Sequence, residues 1–493
     1  MPTPLTVTAP WRDLLRGQNG LRALALTGGV ALHAINVHIV TTVLPSVVAD
    51  IGGLDWYAWN TTLFVVASIV GAALSVRLLA VWGPRGACMA ALALFAAGSA
   101  GCALAASMPW VLASRSVQGF GGGMLAALSY ALIRVVFAPP LWPRAVALVS
   151  GMWGVATLCG PAVGGLFAQG GHWRWAFWTL LPVALLQAVL VAVQLRPTRV
   201  AAPGAGSVPR IPMVQIALLV ASVLAVAAGS LSAQLALQAL GVSVGLALGA
   251  AAIAWERRAP SRQLPSLLPT GGTAPGTPLG AVYACLALLL VGTTTEIFVP
   301  YFLQTLQGLA PLTAGYLTAA MAGGWSLGSV LSSGHSGTRA TALLRAGPLL
   351  CAASLLALAV LVPVDLGLPA AVHTALCAVA LAGVGAGVGI GWPHLLTRVL
   401  TLAPPGEEGV VSAAITTVQL YGMALGAAAA GLVVNAAGLT YPGGSAGAAS
   451  AAAWLFASFA LAPLLAGWLV HCMARPRAVA AEVTRPAWQG KRS

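Results

Sequence analysis

Long apolar runs separated by short polar breaks dominate the 493-residue chain. The runs fall at about 21–48, 56–80, 87–106, 109–135, 144–168, 173–195, 211–231, 234–254, 280–303, 313–334, 342–363, 370–398, 410–436 and 451–471. Each is long enough to cross about 30 Å of hydrocarbon as a helix rising about 1.5 Å per residue. Runs of this length favour helices over the shorter alternating strands of a barrel. The pattern therefore predicts an all-α integral membrane protein with fourteen transmembrane helices.

Composition supports a membrane protein and argues against a soluble one. With 59% hydrophobic and 6% charged residues, the chain has too little polar surface to cover a water-soluble globule. The formal charge of +14 could indicate a nucleic-acid partner, but the basic residues are single arginines between apolar runs. We expect a lipid bilayer around the protein and no nucleic acid.

Polar linkers divide the runs into groups of six, two and six. The predicted units are a cytoplasmic segment (1–20), an N-terminal six-helix bundle (21–195), a linker with two additional helices (196–279), a C-terminal six-helix bundle (280–471) and a basic tail (472–493). The glycine cluster at 119–123 has a weak echo at 383–391. Internal duplication of this kind is typical of transporters.

Charge asymmetry sets the expected orientation. Arginines in alternate breaks fall on one side if the N-terminus is cytoplasmic, and this set is Arg85, Arg144, Arg196, Arg199, Arg210, Arg257, Arg258, Arg262, Arg339, Arg345, Arg398 and the tail arginines. Arg174 is the clear exception. The positive-inside rule then predicts that both termini are cytoplasmic. The first apolar run is too long for a signal-peptide core, so we expect it to be retained.

Three local motifs carry a family resemblance. Residues 115–123 read Arg-Ser-Val-Gln-Gly-Phe-Gly-Gly-Gly, residues 151–165 combine Gly-Met-Trp-Gly with Cys-Gly-Pro-Ala-Val-Gly-Gly, and residues 172–178 read His-Trp-Arg-Trp-Ala-Phe-Trp. Over nearly its whole length the chain resembles the fourteen-helix drug:proton antiporter branch of the major facilitator superfamily. The resemblance implies two six-helix bundles plus two linker helices, and export of hydrophobic or cationic small molecules.

The first motif implies a role for Arg115 in proton handling, with Gln118 beside it. An arginine inside a membrane is costly and is usually functional. The alternative is that Arg115 extends to the interface and has no functional role.

The second motif resembles the antiporter motif of exporters, and its conformational residues are Gly154, Gly160, Pro161, Gly164 and Gly165. Its physical content is close helix approach at glycine and a bend at proline. Packing without any effect on transport direction is the alternative.

Two departures from the family weaken a transferred coupling mechanism. The cytoplasmic motif between helices 2 and 3 keeps Gly83 and Arg85, but Ala80 stands where the family has an acid. In helix 1 the position of the family's intramembrane aspartate holds Asn36, which can hydrogen-bond but cannot carry a proton.

Of nine acidic residues, Glu296 alone falls within a predicted span. An ionisable group near a membrane centre costs about 2.5–3.5 kcal/mol on insertion scales, which favours a role in proton coupling or in attracting a cation. We expect Arg115 and Asn36 to be its neighbours across the bundles. The alternative is a neutral acid buried against the threonines at 293–295.

The remaining polar candidates are assigned by position. The expected substrate-binding residues are Asn36, His38, Gln118, Tyr301, Trp392 and Gln419. We expect the other intramembrane histidines and the seven cysteines to be core residues, because their spacing suits no metal site. The sequence has no nucleotide-binding loop or catalytic triad, so we expect neither enzyme activity nor a cofactor.

The resulting hypothesis is proton-coupled export by alternating access, with a small-molecule substrate, protons and lipid as partners. The chain would act as a monomer in a bacterial cytoplasmic (inner) membrane. An uncoupled facilitator or a lipid or amphiphile exporter is the alternative, and a membrane sensor or scaffold is a third class.

Overall fold

The computed structural model describes residues 10–195, 211–259 and 264–473. In these ranges the regular elements are helices: α1 Trp11–Leu15, α2 Gly17–Ile51, α3 Trp59–Ala103, α4 Met108–Ala131, α5 Ile133–Val136, α6 Trp142–Gln169, α7 Trp173–Trp178, α8 Leu180–Gln194, α9 Met213–Gly229, α10 Leu235–Arg258, α11 Pro278–Thr293, α12 Val299–Gln307, α13 Pro311–Ser333, α14 Gly337–Leu361, α15 Ala370–Thr401, α16 Glu408–Ala436, α17 Gly444–Phe459 and α18 Leu461–Met473. The arginines expected at 196, 199, 210 and 262 and in the tail lie outside the described residues.

Within the described ranges, ten helical stretches are long and apolar enough to cross a membrane. One of them, Leu54–Ala103, has 50 residues, about 75 Å at the α-helical rise and more than two membrane crossings. The chain reverses inside it at Gly83, whose φ of 71° is costly for any residue with a Cβ. Pro84 follows and cannot donate to the preceding turn. This stretch therefore contains the two predicted runs 56–80 and 87–106.

The predicted run 280–303 is confirmed as part of one membrane-length stretch, Pro278–Gln307, but this stretch is not one continuous α-helix. α11 ends at Thr293, a 3-10 turn covers Thr294–Ile297, and α12 starts at Val299 with Pro300 in its first turn. Three successive threonine hydroxyls donate to carbonyls three residues earlier in the chain. Side-chain bonds of this kind compete with helical ones, so they help to explain the break.

Two bundles and a hairpin make up the packing. In the first bundle (α2–α8) α2 packs on α4, α6 and α8, and α3 packs on α4. In the second bundle (α11–α18) α15 packs on α13 and α14, and α11 packs on α16 and α18. The hairpin of α9 and α10 lies beside the line where the bundles meet, because α9 contacts both α3 and α16.

The segment 264–277 ties the hairpin to the second bundle. The Oε1 atom of Glu256 on α10 accepts hydrogen bonds from the backbone N–H groups of Leu267 and Leu268, each at 2.7 Å. The Glu407 carboxylate, just before α16, accepts from the N–H and the hydroxyl of Thr270 at 2.7 and 2.6 Å. Two acids that the sequence placed only in linkers thus anchor this segment.

Candidate functional site

One end of the bundle, here called the Asp50 end, is held by Arg174. The Arg174 guanidinium pairs with the Asp50 carboxylate at 2.7 Å and also donates to the carbonyl of Ala105 at 2.9 Å. The indole of Trp173 donates to the same carboxylate at 3.1 Å and lies 4.2 Å from the guanidinium carbon. Sequence analysis treated this motif as a family label, but its residues join the ends of α2, α3 and α7.

The opposite end, here called the Arg85 end, carries the reversal at Gly83 and the exposed side chain of Arg85. Glu256 and Glu407 anchor the 264–277 segment at this same end. The helices alternate in direction between these two ends.

The motif glycines of α6 form close contacts at the Asp50 end. A Cβ added at Gly165 would lie 2.6 Å from the Cα of Leu312 on α13, and one added at Gly160 would overlap the side chain of His38. Gly164 faces Ile39 and Thr42 of α2. Only glycine permits these approaches, so α6 packs closely against both α2 and α13 at this end.

Proline 161 completes this contact. A Cβ added at Gly315 of α13 would lie 3.2 Å from Pro161 and 2.7 Å from the side chain of Thr42. The hydroxyl of Tyr316 donates to the carbonyl of Leu158 at 3.4 Å. The two bundles are therefore packed together along this part of α6.

Toward the Arg85 end the same helix pair separates. Added Cβ atoms at Gly151, at the motif residue Gly154 and at Gly323 of α13 would meet no heavy atom within 4 Å. Trp153, between the two α6 glycines, is 39% exposed. The structure is thus closed between α6 and α13 at the Asp50 end and open toward the Arg85 end.

Aromatic rings also join the bundles at the Asp50 end. Tyr57, before α3, stacks on Phe298 with 4.9 Å between ring centroids and meets Tyr301 edge-on at 5.6 Å. Phe298 and Tyr301 both contact Phe302 on α12. Tyr57 is 1% exposed and its hydroxyl is buried without a hydrogen-bond partner in the described residues.

Glu296 lies in the 3-10 turn directly before this aromatic cluster. Its side chain is half-buried, and across the described residues no hydrogen bond or ion pair joins its carboxylate to another group. Arg115 and Asn36, the neighbours expected from the sequence, make no hydrogen bond or ion pair with Glu296 in the described residues, and their place beside it stays a prediction. The neighbouring threonine hydroxyls donate to backbone carbonyls instead of to Glu296.

Arg115 and Gln118 form a buried unit inside the first bundle. Arg115 is 2% exposed, its guanidinium donates to the side-chain oxygen of Gln118, and its guanidinium carbon lies 4.0 Å from the ring centroid of Phe64. The Gln118 amide donates onward to the hydroxyl of Ser99 at 2.8 Å. The arginine is thus enclosed within the bundle and does not extend to the interface.

Two residues of α2 have buried polar atoms without hydrogen-bond partners in the described residues. Both amide atoms of Asn36, which is fully buried, and the Nδ1 atom of His33 have no hydrogen-bond partner in the described part of the chain. The His33 ring stacks on Phe64 at 5.3 Å. His33 is one of the intramembrane histidines that the sequence assigned to the core, and its unpartnered nitrogen in the described residues is a feature that only the structure reveals.

The remaining candidates do not converge on one point. His38 is half-buried beneath Gly160, and Trp392 meets Trp325 edge-on at 4.8 Å within the second bundle. Gln419 is half-buried on α16. Their substrate-binding roles remain predictions.

These features define a class, a multi-pass α-helical membrane protein whose two bundles pack together at the Asp50 end and whose first bundle encloses buried polar side chains. The family model of the Major Facilitator Superfamily matches residues 26–427. The chain belongs to this superfamily of membrane transporters.

Relatives and solved structures agree with that family. A probable multidrug-efflux transporter of Mycobacterium tuberculosis, found in two strains, is 39% identical over 469 residues, or 94% of this chain and 96% of the relative. A peptide transporter in complex with alafosfalin has a TM-score of 0.67 at 14% identity, covering 95% of this chain and 97% of the other. A D-xylose-proton symporter has a TM-score of 0.61 at 14% identity, covering 91% and 97%.

Proposed function

We propose that this protein is a secondary active exporter that exchanges protons for hydrophobic or cationic small molecules. The observation that carries the proposal is the position of Glu296, an unpaired carboxylate in a break between two half-helices. Phe298 and Tyr301, two and five residues further along the chain, contact Tyr57 of the other bundle. A change of charge at Glu296 thus occurs beside a contact that holds the bundles together.

The transport cycle alternates between the two ends. Arginines concentrate at the Arg85 end, so the positive-inside rule assigns that end, and both termini, to the cytoplasm. The conformation described above is then open inward and closed outward. Glu296 binds a proton when the Asp50 end opens and releases it after that end closes, while the substrate leaves in the opposite direction.

In this scheme the helices make fourteen membrane crossings. The reversal at Gly83 yields two crossings, and the broken pairs α7–α8, α11–α12 and α17–α18 yield one each. The first bundle corresponds to 21–195 and the second to 280–471, with α9 and α10 as the two additional helices of the 196–279 linker. Short segments 1–20 and 472–493 lie in the cytoplasm.

A hydrophobic or cationic substrate suits the chemistry beside Glu296. A carboxylate attracts a cation, and aromatic faces bind both apolar groups and cations. The names of the mycobacterial relatives, as multidrug-efflux transporters, support the same class. Asn36, His38, Gln118, Trp392 and Gln419 are the proposed polar and aromatic contacts.

The driving force is sufficient for concentrative export. One charge moving through 100 mV supplies about 2.3 kcal/mol, and one pH unit supplies about 1.4 kcal/mol. We assign the protein to a bacterial cytoplasmic (inner) membrane as a monomer, with no nucleic-acid partner and no cofactor.

The test is transport of a fluorescent cationic dye by purified protein in liposomes under an imposed pH gradient. We expect the wild-type protein to concentrate the dye and Glu296→Gln to concentrate it much less under the same gradient, while still equilibrating the dye. Glu407→Gln is the matched control, because it makes the same change in a carboxylate that binds Thr270 of the 264–277 segment. Equal accumulation by wild type and Glu296→Gln would contradict the coupling role of Glu296.

An uncoupled facilitator or amphiphile exporter is the second candidate. Asn36 and Ala80 stand where two acids are expected in a proton antiporter of this kind, and the Asn36 amide is buried without a partner. Dye flux that persists at the same rate after the gradient is collapsed, in wild type as in Glu296→Gln, would favour it.

A further inference from the structure

His33 lies at a position where a proton could enter or leave the first bundle. It is 6% exposed and its Nδ1 atom is buried, and a Cβ added at Gly122 of α4 would lie 2.6 Å from that nitrogen, so only glycine leaves the nitrogen room to hold a proton. The ring also meets Trp153 of α6 edge-on at 6.1 Å. Trp153 is partly exposed between the two open glycines of α6. A partly exposed indole is thus the contact between His33 and the open side of α6.

A positive charge already occupies the same pocket. The Phe64 ring contacts both the His33 ring and the Arg115 guanidinium. Among the described residues, the helices packed around His33 contact it through Phe64 of α3, Gly122 of α4 and Trp153 of α6. None of these three residues titrates. Arg115 is the charged neighbour, one ring away, and within the described ranges no carboxylate pairs with it.

Protonation of His33 would therefore place a second cation beside the first without a neutralising anion. Like charges this close in a low-dielectric interior repel each other strongly, so this conformation disfavours the doubly charged pocket. Histidine is also the side chain whose ordinary ionisation lies nearest physiological pH. The pocket thus has a group able to bind a proton and a neighbour that promotes its release.

We propose that His33 is a second proton-binding residue of the transport cycle, acting in the first bundle as Glu296 acts in the second. In the state open at the Asp50 end, a free ring nitrogen lone pair of neutral His33 takes up one proton. In the state described here the imidazolium returns that proton past Trp153 to the Arg85 end, and the ring is neutral again. The inference rests on the proposed proton-coupled export and adds one proton per cycle to it.

The experiment measures steady-state dye accumulation in liposomes at one unit of pH gradient, with the membrane potential clamped to zero. Each coupled proton then supports about a tenfold concentration ratio, because one pH unit is worth about 1.4 kcal/mol. We expect His33→Gln to lower the ratio about tenfold relative to wild type, as one pH unit per lost proton requires. His373→Gln is the control, since His373 lies in the second bundle near the start of α15, where its ring hydrogen-bonds to the Leu361 carbonyl.

Gradient-free dye exchange provides the second readout. The proposal is supported if His33→Gln exchanges dye at the wild-type rate but its accumulation ratio falls about tenfold, as expected when one proton fewer is coupled per cycle. An unchanged accumulation ratio, or a parallel loss of exchange and accumulation, would overturn it, since the second result is that of a packing residue. A wild-type protein with no gradient-driven accumulation would instead contradict the proposed export function itself.

Discussion

The two ends of α6 differ sharply although the helix is continuous. Near the Asp50 end, Gly160, Gly164 and Gly165 touch α2 and α13 so closely that no Cβ fits. Two to three turns away, Gly151 and Gly154 have open space beside them. The same residue type thus serves close approach in one place and leaves room in the other. The difference indicates a helix that can close against its partner at either end in turn.

Polar contacts show the same division. At the Asp50 end, Arg174 joins α2, α3 and α7 through an ion pair and a carbonyl contact, and the Tyr57 ring spans the two bundles. At the Arg85 end, Glu256 and Glu407 bind the linker segment instead of joining the bundles directly. Opening the Asp50 end must therefore break contacts that opening the Arg85 end leaves intact.

The largest expected effect follows from removing the ring that spans the closed end. Tyr57→Ala deletes the contacts with Phe298 and Tyr301, and core aromatic-to-alanine changes cost about 3–5 kcal/mol. We expect a clear fall in melting temperature in detergent. Tyr57→Phe removes only the unpartnered hydroxyl, so its melting temperature should equal or exceed that of wild type; a large fall would mean that the hydroxyl has a partner.

The next effect comes from crowding the close contact. Gly165→Ala places a Cβ 2.6 Å from the Leu312 backbone, and such overpacking costs about 1–3 kcal/mol, which would shift the open–closed equilibrium by about 5- to 150-fold. Gly151→Ala on the same helix meets open space and should transport dye as wild type does. An equal loss of dye transport in Gly165→Ala and Gly151→Ala would contradict the asymmetry of α6.

A smaller effect is expected from the linker segment. Thr270→Ala removes the hydroxyl hydrogen bond to Glu407 and keeps the backbone one. We therefore expect the free energy of unfolding to fall by about 0.5–1.5 kcal/mol. Limited proteolysis within 264–277 should become faster while dye accumulation persists. Loss of accumulation would show that this segment takes part in transport.

The smallest effect should come from the ion pair at the Asp50 end. The side chains of Arg174 and Asp50 are 38% and 48% exposed, so their ion pair contributes about 0.2–1 kcal/mol to the free energy of unfolding. Arg174→Gln should change the melting temperature slightly and more at low than at high salt. A large, salt-independent fall would assign the stability to the Ala105 contact instead.

Sequence reasoning succeeded where one helix suffices and was limited where two helices meet. Apolar runs predicted the positions of α9 and α10 closely, and the resemblance at residues 115–165 was confirmed at the level of the superfamily. The break at Glu296 was missed because the threonine bonds and the proline act within a run that remains apolar. The partners of Arg115 were also missed, because helical spacing predicts Gln118 but not Phe64 or Ser99 from α3.

The most direct test of the account measures opening of the Asp50 end as Glu296 changes protonation. Spin labels at Asp55→Cys and Ala436→Cys, in a protein whose native cysteines are replaced, report the distance between the two bundles, since Asn435 on α16 bonds to the Asp55 carbonyl at 3.2 Å. We predict a short distance at alkaline pH and an added longer one at acid pH in the wild type. In Glu296→Gln the distribution should respond less to pH, because only His33 then remains to bind a proton. A pH response that is the same with and without Glu296 would contradict the account.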